Sequence, residues 1–109
     1  MEIKVIRSFE ANPIIEEDEY CKRYVDTDKI AFGISILHPG HRGPVDPGHE
    51  NAFEIWYIIK GKVLCYIPTD KDCKELNEGD AILLPPKKPH QPINVGDSIA
   101  IISWSQAKF

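Results

Sequence analysis

An all-β fold is predicted by three features of the sequence taken together. No stretch long enough for a helix carries apolar side chains at the 3.6-residue period, while short runs rich in Ile, Val, Phe, Tyr and Trp recur along the chain. The runs are separated by turn residues, above all glycine and proline. On this basis strands are expected at residues 3–7, 21–25, 30–37, 53–59, 62–67, 81–84, 91–95 and 99–104. Lys60-Gly61, Gly79-Asp80 and Gly96-Asp97 fall between apolar runs, where glycine supplies a positive φ without steric cost. Pro85, Pro86, Pro89 and Pro92 are too dense for a helix or a central strand and predict a rigid loop that leads into the strand at 91–95.

With 109 residues and 12.4 kDa the chain suits one domain, spanning 1–109, with N-terminal strands in 1–29 and the main barrel in 30–105. A net charge of −4 and a pI near 5.5, without a cluster of Lys and Arg, exclude the electrostatic footprint of a nucleic-acid-binding protein. The longest apolar run, 55–59, is far too short to span a bilayer. Glu2, Lys4, Arg7 and Glu10 interrupt the N-terminal apolar residues, so no secretory signal is read there and a cytoplasmic location is expected. Cys21, Cys65 and Cys73 form no CxxC pair, which favours a reducing compartment. The acidic run Glu16-Glu17-Asp18-Glu19 is read as a solvated loop and given no site.

The chemistry gathers in two loops. His38, His41 and His49 lie in or beside residues 38–48, and His90 lies in 85–92. From Gly79 the chain runs through five residues to Pro85, then Lys87, His90 and Asn94. This resembles the second motif of the cupin family, G-x5-P-x-G-x2-H-x3-N, with Lys87 standing in the second glycine position. The first cupin motif, G-x5-H-x-H-x(3 or 4)-E-x6-G, is met in part by His49, Glu54 and Gly61, and Pro47 replaces its first histidine. An alignment started at Gly43 would instead place Asn51 at the second histidine and leave too short a gap to Glu54.

The resemblance implies a single-domain cupin, a jelly-roll barrel or double-stranded β-helix, with a metal held by His49, Glu54 and His90. Alternation places Glu54, Trp56 and Ile58 on one face of their strand, with Phe53, Ile55 and Tyr57 on the other. Periodicity alone allows either face to be inward; the cupin pattern selects the face of Glu54. A carboxylate facing a barrel interior is costly unless paired or coordinated. His49 and Glu54 are five positions apart and converge only if the chain turns between them, for which Glu50-Asn51 is the expected place.

Imidazole and carboxylate together suit a divalent transition metal: Zn, Fe, Mn, Ni or Co. With Pro47 in a ligand position, the candidates to complete the set are Asp46, Glu50, Asn51 and His41. Trp56 and Trp104 are expected to line the cavity, and Lys87, Lys88 and Arg42 are candidates to steer an anionic ligand. Residues 53–59 are apolar on both faces, so the outer face needs a cover; the N-terminal strands or a second copy would supply it, and the resemblance adds weight to a homodimer. The functional expectation is a metal-dependent enzyme, with Glu54 and His90 as catalytic residues, acting on a small carboxylic acid or sugar derivative. The alternative is a non-catalytic module that binds or senses a small molecule.

Overall fold

A computed structural model describes residues 2–109. Nine strands form: β1 (Asn12–Glu16), β2 (Glu19–Asp26), β3 (Ile30–Leu37), β4 (Ala52–Lys60), β5 (Val63–Ile67), β6 (Asp72–Leu76), β7 (Ala81–Leu84), β8 (Gln91–Asn94) and β9 (Ala100–Lys108). The helical content is two 3-10 turns, Ser8–Glu10 and Pro68–Asp70. Among the described residues no helix is long and apolar enough to cross a membrane.

The strands make a six-stranded sheet in the order β1-β2-β3-β9-β4-β7 and a three-stranded sheet in the order β6-β5-β8. Every pairing is antiparallel. Alternation in β4 buries Ala52, Glu54, Trp56 and Ile58 and leaves Phe53, Ile55, Tyr57 and Ile59 outside. Ile58 and Trp56 meet Val63, Cys65, Leu84 and Ile102 in the core between the sheets. The phase expected for β4 is the one observed, and it turns a carboxylate into the barrel.

Three expectations need correction. Residues 3–7 form no strand: Ile3 is 99 % exposed, because the segment has no neighbour to pair with. Conversely β1 and β6 were not expected, and both are outermost strands whose residues are largely exposed. Outermost strands pair on one side only and need no clean apolar face, so their sequences, NPIIE and DCKEL, give little signal. Third, Gly61 and Gly79 have positive φ, but Gly96 does not. The turn at Gly96 is held by Asn94, whose Oδ1 accepts the Gly96 N–H at 2.9 Å.

Asn94 also donates to the carbonyls of Leu37 and Ser98, both at 2.9 Å, from a side chain with 1 % exposure. This residue of the motif is therefore a structural clamp between β8, β3 and the β8–β9 turn. Pro92 lies within β8, which is an edge strand and so tolerates the missing N–H.

Lys87, in the second glycine position of the motif, has φ 65°. A side chain costs about 1–2 kcal/mol in that region, and glycine returns part of this through its larger unfolded-state entropy. Lys87→Gly is therefore expected to stabilise the protein by about 1 kcal/mol, read as a higher denaturant midpoint. A lower midpoint would contradict this account of the loop.

Candidate metal centre

Two backbone segments bring the functional side chains together. The 38–48 loop runs antiparallel to the chain leading through β8: Gly43 N–H bonds to Pro92 O at 3.0 Å, Asp46 N–H to His90 O at 2.8 Å, and His90 N–H to Asp46 O at 3.0 Å. Asp46 is thus placed directly opposite His90. Gly48, at φ 91°, lets the loop pass so close to residues 87–88 that a Cβ there would sit 2.6 Å from Lys88 N. A turn at Glu50-Asn51 then reverses the chain into β4 and carries His49 back over Glu54.

The donor atoms converge. His49 Nε2 lies 3.1 Å from Glu54 Oε1 and 3.7 Å from Asp46 Oδ2. His90 Nε2 lies 3.6 Å from Glu54 Oε2 and 3.8 Å from Asp46 Oδ2. Ligands that share an ion at about 2.0–2.2 Å stand roughly 3–4 Å from one another, which is the spacing found. Asp46, His49 and Glu54 form a group of the described residues whose ligating atoms all lie within 4.8 Å of one another; His90, expected in the set, is outside that group and approaches it only through Asp46 and Glu54.

The orientation of each side chain is fixed from behind. His90 Nδ1 is 2.8 Å from the Lys88 carbonyl and donates to it, so in the neutral ring Nε2 carries the lone pair. That Nε2 is buried and has no hydrogen-bond partner. Glu54 Oε2 accepts from Trp56 Nε1 at 2.6 Å, and Asp46 Oδ1 accepts from Gly48 N–H at 2.8 Å. Gln106 donates to Glu54 Oε1 at 3.1 Å, and its Nε2 is 2.9 Å from His49 Nε2. One ring nitrogen cannot accept from Gln106 and donate to Glu54 at once. The residues present fit a divalent metal: two imidazoles, one of them with an orphaned buried nitrogen, and two carboxylates.

Burial opposes ionisation of both Glu54 and His90, and their proximity overrides it. The Glu54 carboxyl is held below its ordinary value of 4.5 by His90, Trp56 and His49. The His90 imidazole is held above its ordinary value of 6.5 by Glu54, the Lys88 carbonyl and Asp46. Burial pushes the Cys21 and Cys65 thiols up to about 12, so neither is a ready nucleophile.

The centre opens into a cavity of about 230 Å³ whose lining includes Trp56 and Trp104, as expected. Of the four candidates for the position vacated at Pro47, Asp46 reaches the centre. Glu50 and Asn51 line a shallow depression that also takes in His49 and Gln106; His49 opens onto it rather than onto the main cavity, and Glu50 is not in the Asp46–His49–Glu54 group. His41 is exposed beside His38, with ring centroids 5.8 Å apart. Lys87, Lys88 and Arg42 do not line the cavity; Lys88 Nζ is bonded to Asp70 at 2.6 Å instead. Gln106 lies beyond the strand expected at 99–104; β9 runs on to Lys108, and the alternation of Ile102 and Trp104 continues to Gln106. The acidic run is exposed at Glu16, Glu17 and Asp18, as expected of a solvated loop, but Glu16 and the half-buried Glu19 also line the cavity.

The fold and site define a cupin, and a family model described as a cupin domain matches residues 33–105. The chain belongs to this family. It resembles an oxalate decarboxylase, predicted as such, from Thermotoga maritima, with a TM-score of 0.82 at 19 % identity over 97 % of this chain and all of that one. In sequence it is 33 % identical over 73 residues to 3-hydroxyanthranilate 3,4-dioxygenase of Candida albicans, covering 64 % of this chain and 43 % of that protein. It is 39 % identical over 49 residues to an uncharacterised protein of Methanocaldococcus jannaschii, covering 45 % of this chain and 38 % of that one. The matches span less than half the length of these two relatives.

Proposed function

We propose that this cupin holds a divalent transition metal through His49, Glu54 and His90, with Asp46 in the position vacated at Pro47, and acts on a small polar molecule in the adjoining cavity. The observation that carries the reading is the buried His90 Nε2, which has no partner of its own and faces two carboxylates. A bound ion would supply Lewis acidity to a ligand oxygen. The protein's own part is to fix Glu54 through Trp56 and His90 through Lys88, in a cavity lined by two tryptophans. The sequence likeness to a protein named 3-hydroxyanthranilate 3,4-dioxygenase supports chemistry on a small polar compound.

Metal analysis of the purified protein tests this directly. Near-stoichiometric metal is expected in the wild type, and its loss in His90→Ala; metal-free wild type that cannot be loaded would sink the reading. The pH dependence carries a sign. In the metal-free protein the lowered pKa of Glu54 stabilises the fold above 4.5, and this is lost as pH falls through the folded value. The raised pKa of His90 stabilises it below 6.5, and this is lost as pH rises through the folded value. Chelator-treated protein should therefore gain most from the pair between pH 4.5 and 6.5. Zinc affinity should run the other way, rising with pH as Nε2 loses its proton. An affinity that does not change across this range would contradict ligation by His90.

The protein is further proposed to be a homodimer in a reducing, cytoplasmic setting. The three thiols are unpaired. Phe53, Ile55, Tyr57 and Ile59 on β4 are 42–48 % exposed and continue onto Leu83 of β7, an apolar sheet face that a second copy would cover. Light scattering should give twice the 12.4 kDa chain mass, and Ile55→Lys with Tyr57→Lys should return the monomer. A monomeric wild type would remove this part of the proposal.

A further inference from the structure

The cavity has a second polar wall, opposite in origin to the metal-binding one. Glu16, Glu19 and Cys21 come from the β1–β2 hairpin, outside the residues that the family model matches, and Ser35 comes from β3, within them. Glu16 and Glu19 pair across the tight turn of that hairpin, where Glu17 takes φ 53°. Glu19 lies against Gly43: a Cβ added there would stand 2.4 Å from Glu19 Oε1, so the glycine leaves room for the carboxylate. Beside it Cys21 Sγ and Ser35 Oγ are 3.1 Å apart, and Ser35 is 3 % exposed. All four side chains line the same cavity as the unpartnered His90 Nε2.

Charge decides what this wall prefers. The cavity is lined by Glu16, Glu19, Asp46 and Glu54 and by no lysine or arginine. An ion at the metal centre would neutralise Asp46 and Glu54 and leave Glu16 and Glu19 uncompensated. Burial holds the Glu19 carboxyl above its ordinary value; Ser35 and Cys21 act against this, and the charges of Glu16 and Glu54 add to it. Ser35 and Cys21 fill only part of the acceptor capacity of a carboxylate. A ligand hydroxyl would donate to a remaining lone pair, whereas a ligand carboxylate would add a further negative charge to a cavity already lined by carboxylates.

We propose that Glu19, flanked by Ser35 and Cys21, is the second anchor of the ligand, accepting hydrogen bonds from hydroxyl groups at the end remote from His90. The site thereby selects a polyhydroxylated compound with an uncharged remote end and rejects a diacid. This rests on the cavity being the ligand site of the function proposed above, and it narrows the acid-or-sugar expectation to the hydroxylated class.

A four-carbon series tests it: threitol, threonate and tartrate share one carbon skeleton and carry zero, one and two terminal carboxylates. Calorimetric titration of zinc-loaded protein should show threitol and threonate binding about tenfold or more tighter than tartrate, equivalent to at least about 1.4 kcal/mol. In Glu19→Gln the preference should shrink to within about threefold, with zinc content unchanged. Gly43→Ala, whose methyl group displaces the Glu19 carboxylate, should act in the same direction without altering Glu19 itself. The same titrations on metal-free protein separate the two readings, and they decide the ranking if tartrate removes the ion. A wild type that takes no zinc yet keeps the preference would sink the metal centre and leave the anchor standing. Stoichiometric zinc with no preference, an unchanged preference in Glu19→Gln, or no binding of any probe at millimolar concentration would overturn the anchor.

Discussion

Zinc added to metal-free protein is expected to raise its stability by about 4 kcal/mol when the free ion stands at about 1,000 times its dissociation constant. For a chain of this size that corresponds to a rise in Tm of about 15 °C or more. The effect is large because the ion would satisfy several groups that the folded protein otherwise leaves in tension. His90 Nε2 has no partner, His49 Nε2 faces both a donor and a carboxylate, and Asp46 and Glu54 are near neighbours in charge. Glu54→Gln should abolish the shift. The amide keeps the volume and can still accept from Trp56 Nε1, so the metal-free fold should survive while the central ligand is lost. The expected fall in affinity exceeds the roughly 10–100-fold typical of changes to groups that merely support a ligand. Thermal unfolding of both proteins with and without zinc is the measurement; equal shifts in the two would rule out Glu54 as a ligand.

Gly33→Ala is expected to destabilise the fold by about 3 kcal/mol, at the upper end of the effect of overpacking. Gly33 lies in β3 opposite Trp104 of β9, and its missing side chain is the seat of the indole: a Cβ would fall 2.2 Å from Trp104 Cζ2. It would also stand 2.6 Å from the Lys22 carbonyl, which belongs to the backbone and cannot rotate away. The indole would have to shift, and because Trp104 lines the cavity the change should reach the ligand site as well. Urea denaturation gives the first quantity, and probe binding to whatever folded fraction remains gives the second. A midpoint within error of the wild type would show that Trp104 is not locked as described.

The strands that build the core were legible because each repeats the two-residue alternation of a buried face. The β4 run from Phe53 to Ile59 shows both the power and the limit of that signal. Its pattern located a strand, but it is apolar on both sides, and the motif was needed to say which side is inward. Edge strands β1 and β6 carried no such pattern, and 3–7 had the composition of a strand without a neighbour. The site divides in the same way. His49, Glu54 and His90 stood at motif positions, whereas Asp46 was one of four equal candidates.

What the sequence by itself determined is the all-β class, the inward carboxylate of Glu54 once the motif set the phase, and the loops that carry the histidines. These follow from local periodicity and from fixed spacing along the chain. Tertiary structure alone decided that Asp46, rather than Glu50, Asn51 or His41, joins the centre, since this depends on its backbone pairing with His90 across more than forty residues. It also decided that Glu16 and Glu19 of the acidic run line the cavity. A carboxylate at a hairpin turn is solvated or buried according to what packs over it, and Gly43, which makes that space for Glu19, comes from a loop that no local pattern connects to it.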